Sequence, residues 1–316
     1  MKLANNVSGM VNDTLNSNGS LHLNELTANW SVLEGITVLN LFIMTYFVAS
    51  FFRYVLKSKA LCTATNSRSI GQTNLFRIAT LIFCLCLPSM VCTQIFMIIS
   101  KTSASETATE SSNLCKNLSN VRNYTNGLIF VLMYAFMWYY QQLIYKRSAM
   151  KHLRTRPKVV VSYITIALIV SSIVIIYIIS NVHLSHSRSV YGCTYKSLLL
   201  SGSATGVILI TAVTTHGLMG IGLFVYPLCT EKSNEIQPPD EGLPKPVVPK
   251  VLKRYKLILL VFVVMNVVLS VTTVWILKND LVYESLVITD TSITLQSVVV
   301  IMCLYEWRKI LMWRAV

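Results

Sequence analysis

Asp290 is a carboxylate inside an otherwise apolar run, among Thr289, Thr291, Ser292 and Thr294, and Arg122 lies just ahead of another such run. An ionisable group in an apolar segment of this kind turns inward and takes a partner, because exposure to hydrocarbon is costly. Two roles are open for Asp290: ligand contact or a salt bridge to Arg122. The plainer alternative is a carboxylate reaching out to Lys278 and the water interface. Other candidates are weaker. His183 and His186 have a spacing that could share a metal, but no third ligand is close by, so a solvated loop is the better account. His216, after Thr214 and Thr215, is better read as a neutral histidine bonded to a neighbouring helix. Glu34 suits an interface, and Gln141 and Gln142 suit bonds across helices. No His-Glu-x-x-His, Gly-x-Ser-x-Gly, phosphate-binding glycine loop or paired carboxylate is present. No catalytic residue, metal or cofactor is therefore expected, and the chain does not read as an enzyme.

The elements that would hold these residues are seven apolar stretches, at about 32–56, 76–99, 126–145, 158–180, 197–227, 257–277 and 285–305. A bilayer core about 30 Å thick requires about 20 apolar residues in a helix. Strand-like alternation is absent, which leaves helices to satisfy the backbone in lipid. With 53% hydrophobic and only 13% charged residues, the chain is too apolar for a water-soluble domain. The expected class is an all-α seven-transmembrane bundle. Its net charge of +14 is confined: most of the 27 Lys and Arg flank spans 1/2, 3/4 and 5/6 or follow span 7. Such asymmetry places the N-terminus outside and the C-terminus inside, and it argues for the lipid bilayer and against nucleic acid as the partner of the charge.

Glycosylation sequons agree with that sidedness. They begin at Asn6, Asn12, Asn18 and Asn29 ahead of span 1, and at Asn117 and Asn123 between spans 2 and 3. Residues 1–30 lack the apolar core of a cleavable signal peptide, so span 1 is expected to carry the tail across. The domain plan is a glycosylated tail over 1–31, a transmembrane domain over 32–305 and a short amphipathic cytoplasmic segment over 306–316. Within it, residues 231–250 form a proline-rich inner loop. Of the eight cysteines, only Cys115 and Cys193 fall in outside segments. Two thiols in an oxidising compartment are expected to pair, the alternative being two unrelated surface cysteines.

Seven spans, an outside N-terminus and a bridge from span 3 to the second outer loop resemble the rhodopsin-like G-protein-coupled receptors. Local fragments are most similar to divergent odorant-type receptors of fish: Leu56-Lys57-Ser58-Lys59, Ile258-Leu259-Leu260 and Tyr305-Glu306-Trp307-Arg308. The resemblance covers the architecture of nearly the whole chain but few of the family's motifs. By the family's spacing, Ala49 replaces the usual span 1 Asn, Cys84 falls near the usual sodium-binding Asp, and Tyr140 replaces the arginine of Asp/Glu-Arg-Tyr. Span 7 keeps Tyr305 without the preceding Asn-Pro, and Leu295 stands where a retinal-binding lysine would be. Family spacing starts helix 3 at Cys115 and hydropathy near Gly127. The expectation between them is an irregular start with Arg122 at the rim of a pocket.

The resemblance implies a plasma-membrane receptor that binds an extracellular ligand in the bundle, with Arg122 and Asp290 as candidate contacts, and signals to a heterotrimeric G protein. Tyr140, Lys146, Arg147, Lys253, Arg254 and Tyr305 would then face the G protein. The missing polar switches keep a second class open, a non-signalling seven-helix scaffold, trafficking subunit or decoy binder. A transporter ranks third, since spans with almost no buried charge offer little to carry a solute.

Overall fold

The computed structural model describes residues 3–58, 67–102, 108–146, 156–189, 192–197, 219, 257–269, 272, 282–304 and 307–312. In chain order these residues form α1 (Leu3–Ser58), α2 (Ser67–Thr102), α3 (Ala108–Tyr145) and α4 (Arg156–His183). A hairpin of β1 (Leu184–Ser189) and β2 (Gly192–Ser197) follows. After it come α5 (Leu257–Leu269), α6 (Val282–Cys303) and α7 (Trp307–Leu311).

Five of the helices contain segments long and apolar enough to cross a membrane: Ser31–Ser58, Ile70–Ile98, Lys116–Tyr145, Arg156–Ile175 and Leu286–Cys303. α5 is a shorter apolar helix. The outward faces carry many large apolar side chains. Phe42 is 71% exposed, and Val160, Val161 and Ile164 on α4 are likewise open. A surface with this many large exposed apolar side chains would associate in water, whereas a bilayer solvates it. The protein is a helical membrane protein.

Side-chain pairings set the direction of each helix. Phe51 meets Phe83 while Tyr54 meets Phe76, so α1 and α2 are antiparallel. Thr93 meets Arg122 and Asn74 meets Tyr139, making α2 and α3 antiparallel. Phe130 lies by Tyr177 and Trp138 by Tyr163, so α4 returns against α3. α6 runs parallel to α3, since Arg122 meets Asp290 and Met137 meets Cys303. α5 runs against α6: Phe262 reaches Tyr134, a turn from the Met137–Cys303 contact, and Asn266 lies farther along at Gln296. α4 therefore ends where α2 and α3 are joined, and α5 starts from the opposite end of the bundle.

The core between α1, α2, α3 and α6 is aromatic and sulfur-rich. Phe51, Phe83, Phe136, Met44, Met90 and Met133 are all fully enclosed. The aromatic residues of α3 serve packing: Tyr134 takes Phe262 edge-on at 5.2 Å, and Trp138 stacks edge-on to Tyr163 at 4.8 Å. The Trp138 indole N–H is satisfied by Ser162 Oγ at 2.9 Å. Pro88, inside α2, cannot donate to the carbonyl four residues back, an omission that membrane helices tolerate.

Several expectations need correction. α2 starts at Ser67 and its apolar segment at Ile70, ahead of the expected 76. α3 is helical from Ala108, so its start is neither irregular nor as late as Gly127. The hairpin of β1 and β2 was not foreseen; it is a small addition to an architecture compatible with an all-α membrane protein, and it packs on α2 through β2 and on α3 through β1. Span 5, the 231–250 loop and the second part of span 6 apart from Thr272 lie outside the described residues, except for Met219.

Candidate functional site

Arg122 is 6% exposed and Asp290 1% exposed, and they form an ion pair of 3.4 Å between Nη2 and Oδ1. The sequence left Asp290 a choice of partners, and the structure sets it against Arg122. Helical periodicity explains how α3 carries a cation inward: Ser119, Arg122 and Asn126 lie three and four residues apart and share a buried face. Hydropathy places Ser119 and Arg122 outside the span because they are polar. The structure keeps them helical because their polar face meets other polar residues.

Thr93 of α2 sits between the two charges. It accepts from Arg122 Nε at 2.8 Å, and its hydroxyl proton lies between Ser89 O (3.3 Å) and Asp290 Oδ1 (3.4 Å). Arg122 Nη2 also donates to the Leu286 carbonyl at 3.3 Å. Three helices thus meet at one node. A seam of polar groups continues from it along the bundle. The Ser89 hydroxyl donates to Asn126 Oδ1, and Cys86 Sγ lies 3.9 Å from Ser297 Oγ. Gln296 Nε2 donates to Asn266 Oδ1 on α5 and to Ser292 Oγ, both at 3.4 Å. At the edge of the seam Asn40 of α1 donates to Thr291 Oγ1 at 2.9 Å.

Burying two ions costs several kcal/mol each before their attraction is counted, and good geometry with further hydrogen bonds is needed to offset it. Among the described residues the direct contact is single: one oxygen of Asp290 meets one terminal nitrogen of Arg122, where a bidentate pair would use two of each.

Thr93, Ser89, Asn126, Gln296 and Asn266 were not singled out by the sequence. The available signal was their polarity within apolar runs, which marks an inward face. Counting by family spacing also misdirects two positions. Cys84 and Ala49 are exposed, whereas the neighbouring Cys86 and Ser50 are buried.

The remaining candidates are dispersed. Asn117 is exposed on α3; Asn6, Asn12, Asn18 and Asn29 are on the backbone of α1, with side chains outside the described residues. Cys115 lies on α3 and Cys193 on β2 opposite Arg188, and their pairing also falls on side chains outside the described residues. Tyr140 is half-buried, and Lys146 is an exposed turn residue at the end of α3. Arg147, His216, Lys253, Arg254 and Tyr305 lie outside the described residues. Gln142 Nε2 crosses to Ser162 Oγ at 3.3 Å, and Gln141 Nε2 donates to Tyr145 within α3. Comparison with protein-family models, with curated proteins and with solved structures gives no match.

Proposed function

We propose that this protein is a divergent seven-helix receptor of the G-protein-coupled type, resident in the plasma membrane, binding an extracellular ligand inside its bundle. The observation that carries the reading is the Arg122–Asp290 pair, an ion pair buried where α2, α3 and α6 meet. Charge within a membrane span is expensive and marks function by default. A pair held by a single direct contact is also suited to a ligand that competes for either partner and so shifts the relative stability of two bundle arrangements.

Connectivity taken with hydropathy supports a reading of seven crossings. α4 ends and α5 begins at opposite ends of the bundle. A return crossing would join them, and the apolar run at 197–227 has the length for it. The proposed orientation, N-terminus outside, rests on the basic flanks and the sequons.

Constitutive signalling in transfected cells tests this, using a panel of G proteins and the native chain beside Tyr140→Arg, with surface expression measured. Activity in either chain supports coupling. Silence in both at normal surface levels, with and without candidate ligands, would remove the signalling claim. A non-signalling relative is the second reading. It is favoured by Tyr140 in place of the family's arginine and by the inward bonds of Tyr139 to Asn74 and Gln142 to Ser162.

A further inference from the structure

Arg77 sits on the face of α2 that also exposes Ile70, Leu81, Val91 and Ile95, the side this helix turns to lipid. The apolar segment begins at Ile70, so Arg77 lies about 10 Å inside it at 1.5 Å per residue. A charge within a span ordinarily turns inward and takes a partner, as Asp290 does. Arg77 instead faces out, and among the described residues it has no hydrogen bond or ion pair. Helical phase shows where it points. Asn74 of α2 meets Tyr139 of α3, and Trp138, about 100° around α3, meets Tyr163 of α4. Arg77 is about 60° around α2 from Asn74, and since the two helices are antiparallel this turn is towards the same flank of α3. Arg77 therefore opens into the cleft between α2 and α4, near the level of the exposed Tyr163 ring. Arg156 lies two turns from Tyr163 on the same face of α4, nearer the end of the bundle, and it too is exposed without an ion pair among the described residues.

We propose that Arg77 and Arg156 hold the headgroup of a phospholipid bearing a phosphate monoester, with its chains on the apolar faces of α2 and α4. Charge selects the class. Two guanidiniums bring two positive charges to one cleft, and a phosphate monoester, at about −1.5 to −2, matches them. A phosphodiester leaves one arginine uncompensated, and a zwitterionic headgroup adds a cation of its own. Each planar guanidinium can take two phosphate oxygens at once. The long stem of Arg77 lies along apolar surface while its head reaches towards the same end of the bundle as Arg156. The carboxylates whose side chains are described, Glu34 and Asp290, lie towards the other end and do not compete. General attraction between basic flanks and anionic lipid would treat every face alike. Lys158 separates the two cases, being equally exposed but on the opposite side of α4 from Arg156. Such a site needs only a membrane around the bundle, whether or not the protein signals.

The test titrates purified full-length protein in detergent with phosphatidic acid (monoester), phosphatidylglycerol (diester) and phosphatidylcholine (zwitterion) of matched chains, reading bound lipid by native mass spectrometry. Phosphatidic acid is expected to bind at least about tenfold more tightly than phosphatidylglycerol, and phosphatidylcholine most weakly. Arg77→Gln and Arg156→Gln should each weaken phosphatidic acid by about five- to tenfold while barely changing phosphatidylcholine. Arg77→Lys keeps the charge without the fork and should fall between native and Arg77→Gln. Lys158→Gln removes the same charge from another face and should leave the lipid order and affinities as they are. All four positions changed are exposed, and lipid-free melting temperatures confirm that each variant is folded. Equal affinity for phosphatidic acid and phosphatidylglycerol, native affinity in Arg77→Gln, or a loss in Lys158→Gln as large as in Arg156→Gln would overturn the proposal. So would soluble glycerol phosphate that binds as tightly as phosphatidic acid, since the apolar faces would then contribute nothing.

Discussion

At the residue scale, Arg122 and Asp290 stabilise the bundle only as a pair. Removing one partner strands the other in a low-dielectric interior, whereas removing both leaves apolar volume. Arg122→Met or Asp290→Leu alone should therefore cost about 3–5 kcal/mol. The double variant should recover most of that loss. Thermal denaturation of the three variants in detergent checks it; a double variant as unstable as the sum of the singles would mean the two side chains act independently. Thr93→Val removes the acceptor for Arg122 Nε and a donor to Asp290. It should cost about 1–3 kcal/mol by the same measurement. The two charges were visible in the sequence because charge in an apolar run is rare. Thr93, Asn126 and Gln296 were not, because a single amide or hydroxyl barely changes the hydropathy of a run, although each is buried here and used by a neighbouring helix.

At the element scale, close approach of helices explains two glycines differently. A Cβ at Gly127 would meet the Tyr177 ring carbons at 2.9, 3.1 and 3.3 Å, so α4 would have to move away from α3. A Cβ at Gly71 would meet Leu143 Cδ2, the far end of a flexible side chain. Gly127→Ala should destabilise by about 1–3 kcal/mol and Gly71→Ala by clearly less. Thermal unfolding of the two variants side by side ranks them. The same scale shows where hydropathy misplaced helix ends. Over residues 116–126 of α3 the inward face carries Ser119, Arg122 and Asn126, and averaged hydropathy treats that face as loop. α2 begins early for a related reason, with Thr73 buried and Asn74 bonded to Tyr139 among the polar residues of its first turns. Spans 1, 4 and 7 were placed closely by hydropathy alone.

At the scale of the whole molecule, α1 and α6 follow the same direction, the first tied to the second through Asn40 and Thr291 and to α7 through Tyr46 and the Leu311 carbonyl. Epitopes placed at the two termini should consequently be stained on opposite sides; in the proposed orientation the N-terminal one is stained in intact cells and the C-terminal one only after permeabilisation. Asn117→Gln should increase electrophoretic mobility by one glycan, matching native protein treated with glycosidase. The hairpin was not readable from the sequence, since its two strands carry Ser, His, Arg, Thr and Lys without apolar alternation.

Only 11% of the apolar stretch of α4 is buried, and among the described elements α3 is its main neighbour. Most of this helix answers to lipid chemistry, which asks for length and oiliness but for no particular shape. Val160, Val161, Ile164, Leu168 and Ile175 can therefore exchange among apolar types with changes within about ±0.5 kcal/mol, whereas shortening the run would mismatch the bilayer. Over generations α4 is free to drift in identity while holding its thickness, and the membrane, more than the bundle, is the template it must fit.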